Sequence, residues 1–221
     1  PAAALGIGCI DEGDIGFSAG TSSSTLMVYD CASKPFRTAP KLMTIGHTMP
    51  GKMLNVASMS STGASLKWMR DSLCREELAE EQRGGKSAYD VMNGLAEASC
   101  AAPGGLIFLP YLYGEQTPYF NPDARAVFFG ISDTTTKGDM IRAVMEGTCF
   151  GFRQNLELLK SVGGVDKCRE VIATGGPAAS DIWMQILADI SGVQVSVPDT
   201  VLGAPLGDVI LAGVGAGIYE S

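Results

Sequence analysis

The sequence predicts an α/β domain in which a mixed sheet is covered by helices. Short apolar runs gather near the start, at Ile15 to Ala19, Thr25 to Tyr29 and Lys41 to Gly46, and strand and helix patterns alternate from Glu170 to Ile218. Strands first and alternation afterwards is the order of a mixed sheet with helices on its faces. Composition agrees: of 221 residues, 46% are hydrophobic, 18% are charged and 28 are glycine, remote from the profile of a disordered chain. That length suits one large domain with a substantial core, and no internal repeat or linker divides it.

Ala2 to Cys9 reads as the tail of a small-residue helix, and the turn Glu12-Gly13-Asp14 hands over to the first strand. Gly20-Thr21-Ser22-Ser23-Ser24 then joins the first two strands in hairpin fashion. From Asn55 to Leu73, the apolar positions Val56, Met59, Leu66 and Met69 predict a helix, interrupted or bent at Ser60 to Gly63. The charged stretch Arg75 to Arg83 reads as solvated surface. Ser87 is placed to cap a short helix, Ala88 to Ser99, with Asp90 in the capping-box position, before the break at Pro103-Gly104-Gly105.

Leu106 to Leu109 is a strand candidate, and Pro110 to Asp123 is a loop rich in proline and aromatic residues. The clearest helix runs from Lys137 to Val162, where Ile141, Val144, Thr148, Phe152, Leu156 and Leu159 recur at three- and four-residue steps. Gly147 and Gly151 share one face of it and permit a neighbouring element to approach closely. The remainder reads as strand (Glu170 to Ala173), helix (Ser180 to Ile190), strand (Val193 to Val197) and helix (Pro205 to Ile218).

A net charge of −8 repels polyanions and leaves no basic stripe for nucleic acid, so an anionic ligand has to be held locally by backbone N–H groups and helix N-termini. Cys9, Cys31, Cys74, Cys100, Cys149 and Cys168 are scattered, with His47 as the single histidine, which excludes zinc spacing and points to free thiols in a reducing cytoplasm. The opening apolar run lacks a basic leader, and Val209 to Tyr219 is too short to span a bilayer, so no membrane partner is expected. A chain that starts inside a helix, without Met, is expected to be a piece of a longer protein.

Two glycine loops carry the chemistry. Gly20-Thr21-Ser22 combines close backbone approach, consecutive N–H donors and hydroxyls, which together suit a phosphate. Thr174-Gly175-Gly176-Pro177 follows a strand and precedes a helix with Ser180 as N-cap, a turn where a nucleotide can lie against backbone. In isolation each reads first as an ordinary turn, and neither a dinucleotide fingerprint nor a P-loop is present. His47 and the two tryptophans read as structural, and Asp14, Asp30 and Asp181 as ordinary turn or helix-start acids rather than metal ligands.

The string Ala126-Val127-Phe128-Phe129-Gly130-Ile131, followed after seven residues by Asp139-Met140-Ile141-Arg142-Ala143-Val144-Met145-Glu146, resembles the C-terminal signature of the FGGY carbohydrate kinases. Gly114-Glu115-Gln116-Thr117-Pro118 is similar to that family's Gly-Glu-Arg-Thr-Pro segment, with Gln116 where Arg is usual. His47-Thr48-Met49-Pro50-Gly51 and Asn121-Pro122-Asp123-Ala124-Arg125 tilt the likeness toward xylulose kinases.

The resemblance implies an actin-like ATPase (ribonuclease H-like) lobe, residues 1 to 221 forming the C-terminal ATP-binding domain, with the N-terminal sugar-binding domain absent. It implies ATP and Mg²⁺ as cofactors and a ketopentose such as D-xylulose as acceptor, reached through the missing domain; a homodimer stays open. Thr21 and Ser22, beside Gly20, are placed at the terminal phosphates. Gly63 and Lys67 are placed along the nucleotide, and Gly175, Gly176 and Ser180 at the adenosine. Pro177 and Ala179 stand where xylulose kinases often have Gly and Lys, removing one N–H donor and one cation. The family's catalytic Asp falls by spacing a couple of residues ahead of Pro1, so no catalytic residue is assigned here and this chain alone is expected to be inactive. Kinases of glycerol, ribulose or fuculose, and a non-catalytic nucleotide-binding module, are the alternatives.

Overall fold

The computed structural model describes residues 1–32, 39–163, 168–199 and 203–220. In chain order the elements are α1 (Ala2–Gly6), β1 (Ile15–Ala19), β2 (Ser23–Asp30), β3 (Met43–Gly46), β4 (Lys52–Met59), α2 (Gly63–Leu73), α3 (Arg75–Gln82) and α4 (Ala88–Ala98). There follow β5 (Ile107–Leu109), β6 (Val127–Phe129), α5 (Lys137–Gly163), β7 (Val171–Thr174), α6 (Asp181–Ser191), β8 (Val195–Ser196) and α7 (Gly203–Gly215).

Six strands form one mixed sheet in the order β3-β4-β2-β1-β7-β8. The β1–β2, β2–β4 and β3–β4 pairs are antiparallel, whereas β7 joins β1, and β8 joins β7, in parallel. Side-chain alternation sorts the faces. Ile15, Phe17, Ala19 and Met27 face the larger core with Ile141, Phe152 and Leu156 of α5. Leu26, Val28 and Leu54 face a smaller core with Ala4 of α1 and Ile7 just after it. Helix α7 packs on α1 almost backbone to backbone: a Cβ on Gly207 would lie 1.9 Å from the Ala2 carbonyl oxygen.

The helix expected from Asn55 is instead β4 up to Met59, and helix starts only at Gly63. β4 lies between β2 and β3, so both its edges are paired and both its faces covered. Leu54 and Val56 pack on the smaller core and Ala57 on the larger, which is a two-residue period. Val56 and Met59 match a helical step only by coincidence. The break at Ser60 to Gly63 does separate the two elements. The charged stretch after Cys74 is solvated as expected, yet it is helical: α3 has no buried residue, and Glu77 pairs with Lys137 Nζ at 2.8 Å.

Helix α5 begins with a reciprocal cap, Asp139 N–H donating to Thr136 Oγ1 at 3.2 Å and Thr136 N–H to Asp139 Oδ2 at 2.8 Å. Its polar residues then fasten the end of α4. Ser99 Oγ donates to Asp139 Oδ1 at 2.5 Å, and Arg142 Nη1 donates to the carbonyls of Ala96 and Ser99 at 3.2 and 3.1 Å. Glu146, buried, accepts from Arg142 Nε at 2.8 Å and from the Ala102 amide. The conspicuous sequence string is therefore a clamp between two helices. Gly147 and Gly151 permit the close approach foreseen for them: a Cβ would meet the Phe108 carbonyl oxygen at 2.2 Å and Met59 Cε at 2.5 Å respectively.

The two-stranded β5–β6 sheet buries Phe108 against Phe128, with ring centroids 4.7 Å apart. Between these strands the loop through Glu115 docks on the end of β4. Thr117 exchanges bonds with Ser58, and Glu115 accepts from the amides of Ser60 and Gln116 at 3.0 and 2.7 Å. Burial pushes the Glu115 carboxyl above the ordinary carboxylate range, against the pull of those two amides.

Two predictions follow from these contacts. Gly147→Ala should cost about 1–3 kcal/mol, because its new methyl meets immovable backbone and outweighs the helix-propensity gain, whereas Gly151→Ala meets only the flexible end of Met59. Thermal unfolding should show a lower Tm for the first and near-wild-type behaviour for the second; equal Tm values would contradict the packing. For Glu115, a raised folded pKa means that the folded state holds its proton more tightly, so this group's contribution to stability is lost as pH rises from the ordinary carboxylate range through the raised value. Glu115→Gln should gain stability relative to wild type between pH 4 and pH 7 in urea titrations, and a pH-independent difference would refute the assignment.

Candidate functional site

A cavity of about 440 Å³ opens between α2, α4 and the turn ahead of α6. Gly20, Thr21, Gly63, Lys67, Gly176 and Ser180, brought from three distant stretches of sequence, all line it. The mechanism of convergence is backbone contact. The Gly63 amide donates to the Gly20 carbonyl at 2.9 Å and the Ala64 amide to the Thr21 carbonyl at 3.0 Å, so the first turn of α2 grips the β1–β2 loop. A Cβ on Gly63 would lie 2.4 Å from the Gly20 oxygen. Beneath, buried Ser23 Oγ and Thr62 Oγ1 are 2.6 Å apart.

Gly175 and Ser22 do not line the cavity. Gly175 has φ +95°, and a Cβ there would lie 1.9 Å from the Ala19 carbonyl oxygen, so it sets the turn from behind. The Ser22 carbonyl accepts from the Gly20 amide at 2.8 Å, which tightens the loop and leaves Thr21 and Ser22 exposed at its tip. Among the described residues their amides and hydroxyls carry no hydrogen bond. Such a tip presents adjacent donors outward, the arrangement an anion needs.

The turn from Gly176 to Ala179 is a 3₁₀ segment that places Pro177 and Ala179 on the cavity wall. With Ala64, Leu66 and Trp183 they make an apolar surface, where the likeness to xylulose kinases anticipated a further donor and a cation. Ser180 is the N-cap of α6: its Oγ accepts from the Trp183 amide at 3.3 Å and donates to Asn93 Oδ1 at 2.9 Å. Lys67 points its ammonium to Asp71 Oδ2 at 2.5 Å; that pairing, aided by Arg70, holds the Asp71 carboxyl below its ordinary range.

Sequence reasoning missed Tyr89, Asp90 and Asn93, the contribution of α4. The sequence places Asp90 in a capping box with Ser87, but Ser87 makes no side-chain cap bond and Asp90 lines the cavity; the neighbouring Ala88 amide donates to Glu81 Oε2 at 3.0 Å. The available signal was the spacing: Asp90 and Asn93 stand three apart on a helix whose buried residues are Ala88, Met92 and Ala96. Tyr89 is held by the Arg70 guanidinium, 4.8 Å above its ring.

Other candidates fall outside the cavity. His47 Nδ1 accepts from the Met49 amide at 2.9 Å while Nε2 meets the Cys9 carbonyl at 2.9 Å, a structural tie. Asp14 accepts from the amides of Ile10 and Asp11, and Asp30 from that of Ala32. Among the described residues no three His, Cys, Asp or Glu groups converge to hold a metal, the six cysteines are free, and no helix is long and apolar enough to cross a membrane.

Comparison with known proteins places the chain in a family. The profile of the FGGY family of carbohydrate kinases, C-terminal domain, matches residues 16–216. The chain is 33% identical to a gluconokinase of Bacillus licheniformis over 220 residues, 30% identical to a xylulose kinase of Staphylococcus epidermidis over 218 residues, and 33% identical to a glycerol kinase of Myxococcus xanthus over 225 residues. These alignments cover 98%, 99% and 100% of this chain but 42%, 41% and 42% of the relatives, so the chain spans about two-fifths of their length. The crystal structure of xylulose kinase from Rhodospirillum rubrum superposes with a TM-score of 0.84 at 27% identity, covering all of this chain and 42% of that one. The fold is the actin-like ATPase lobe, and the chain belongs to the FGGY family of carbohydrate kinases through their C-terminal domain.

Proposed function

We propose that this chain is the nucleotide-binding lobe of an ATP-dependent sugar kinase that phosphorylates a hydroxyl of a ketopentose such as D-xylulose. The observation that carries the reading is the cavity itself: Thr21, from a loop tip with free amides and hydroxyls, shares its lining with the apolar Leu66, Pro177 and Ala179. A polyanion joined to a flat, largely apolar ring system fits that division. The relatives named as gluconate, xylulose and glycerol kinases support a carbohydrate or polyol acceptor; the tilt to xylulose rests on the His47 to Gly51 and Asn121 to Arg125 segments and on the Rhodospirillum likeness.

In this reading the ATP phosphates meet the Thr21 and Ser22 amides and hydroxyls, with Gly20 allowing the close approach. The adenosine lies along Gly63, Lys67, Gly176 and Ser180, and Gly175 shapes the turn. Mg²⁺ would supply charge neutralisation on the phosphates. The described residues offer it no cage of their own, so it enters with the nucleotide. The sugar and the carboxylate that takes its hydroxyl proton belong to the other lobe. Catalysis is then positioning and electrostatics as two lobes close on the substrates, and this lobe alone binds nucleotide weakly without turning it over.

Thr21→Ala should weaken ATP binding by roughly 1.5–3 kcal/mol, about tenfold or more in Kd, the range for a hydrogen bond to a charged group. Isothermal titration of the chain with MgATP, and kcat/KM for ATP in the two-lobed protein, measure this loss. Unchanged ATP binding and kinetics in the variant would remove Thr21 from the phosphate site.

A further inference from the structure

The face of α4 toward the cavity has chemistry that the phosphate reading leaves unused. Asp90 and Lys67 are the charged side chains in the lining, and the Lys67 ammonium is engaged by Asp71. An unneutralised carboxylate repels phosphate, so Asp90 suits a part of the ligand that offers hydrogen-bond donors. Asn93 stands one helical turn on, with side chains at that spacing adjacent on the helix surface. Ser180 Oγ accepts from the Trp183 amide and donates to Asn93 Oδ1, and the Asn93 Nδ2 hydrogens take part in no hydrogen bond among the described residues.

One helix face thus presents an anionic acceptor beside a neutral donor, next to the apolar slot. We propose that this pair reads the nucleobase: Asp90 accepts a hydrogen bond from the exocyclic amino group of adenine, while Asn93 Nδ2 donates to the neighbouring ring nitrogen. Base selectivity is then set by α4 rather than by the glycine loops. The proposal rests on the ATP reading of the cavity. The clamp of Asp139, Arg142 and Glu146 on the end of α4 keeps this face in place.

The test is equilibrium titration of the 221-residue chain with ATP, purine riboside triphosphate (which lacks the exocyclic amino group), GTP and 2′-deoxy-ATP. The wild type should prefer ATP to the purine riboside nucleotide by about tenfold or more. Asp90→Ala, a change at an exposed position, should abolish that preference, and Asp90→Asn, which keeps a neutral acceptor, should restore part of it. Equal affinity for the two nucleotides in the wild type, or a preference that survives Asp90→Ala, overturns the proposal. So does GTP bound as tightly as ATP through Asp90, or an Asp90 dependence that follows the 2′-hydroxyl instead of the base. Failure of every nucleotide to bind the wild type sinks the ATP reading as well; ATP binding that weakens in Thr21→Ala but ignores Asp90 sinks the base reading alone.

Discussion

The site depends on one close approach, the passage of the Ala19–Gly20 backbone between Gly63 and Gly175. The Gly20 carbonyl receives the first amide of α2, and the Ala19 carbonyl lies where a Gly175 side chain would have to be. β1 is hydrogen-bonded on both edges, to β2 and β7, so its end cannot move aside to make room. Three stretches far apart in sequence therefore meet with main chain against main chain, and any side chain at either glycine would force them apart. The loop tip, the first turn of α2 and the turn ahead of α6 hold their relative positions as a consequence. Recognition groups built from backbone need that rigidity, because an N–H cannot swing to correct a misplaced scaffold.

The fourth wall is held by different physics. Helix α4 reaches the cavity through Asn93 and Asp90, and its far end is tied to α5 by charged and neutral hydrogen bonds centred on Arg142 and Glu146, both largely buried. Removing one partner of such a pair would leave the other buried and unsatisfied, so the clamp acts as a unit. This gives physical content to a string that is chemically bland on paper. Asp139, Arg142 and Glu146 lie outside the cavity lining; they fix the helix that bounds it.

That contrast explains what was legible in the sequence. Strands β1 and β2 were readable as short continuous apolar runs bounded by turn residues, and the long helix α5 with its glycine face because its periodicity is local. The glycine loops were readable because glycine and hydroxyl residues at a strand end carry a conformational meaning of their own. β4 was misread because a strand covered on both faces loses its alternation, and Val56 and Met59 then match a helical step. Asp90 was misread because an acid three residues after Ser87 looks like half of a capping box, and its place in the cavity lining depends on how α4 packs against elements distant in sequence. The Ser180–Asn93 bond joins residues 87 apart in sequence, and no local pattern announces it.

The charge balance of the cavity constrains how it can be used. The chain carries a net charge of −8, the Lys67 ammonium is paired with Asp71, and Asp90 adds a carboxylate to the lining. A triphosphate placed here meets N–H dipoles and hydroxyls but little free positive charge. Dipoles can orient a polyanion, yet they compensate only part of its charge, and that part falls off steeply as water reaches an open loop tip. Further compensation must arrive with the ligand, as a bound cation, or from a surface that closes over Thr21 and Ser22 and excludes water. On the proposed reading, a site with this balance holds a nucleotide loosely while open and tightly when covered. In a phosphoryl-transfer enzyme that difference couples nucleotide retention to the arrival of the second substrate.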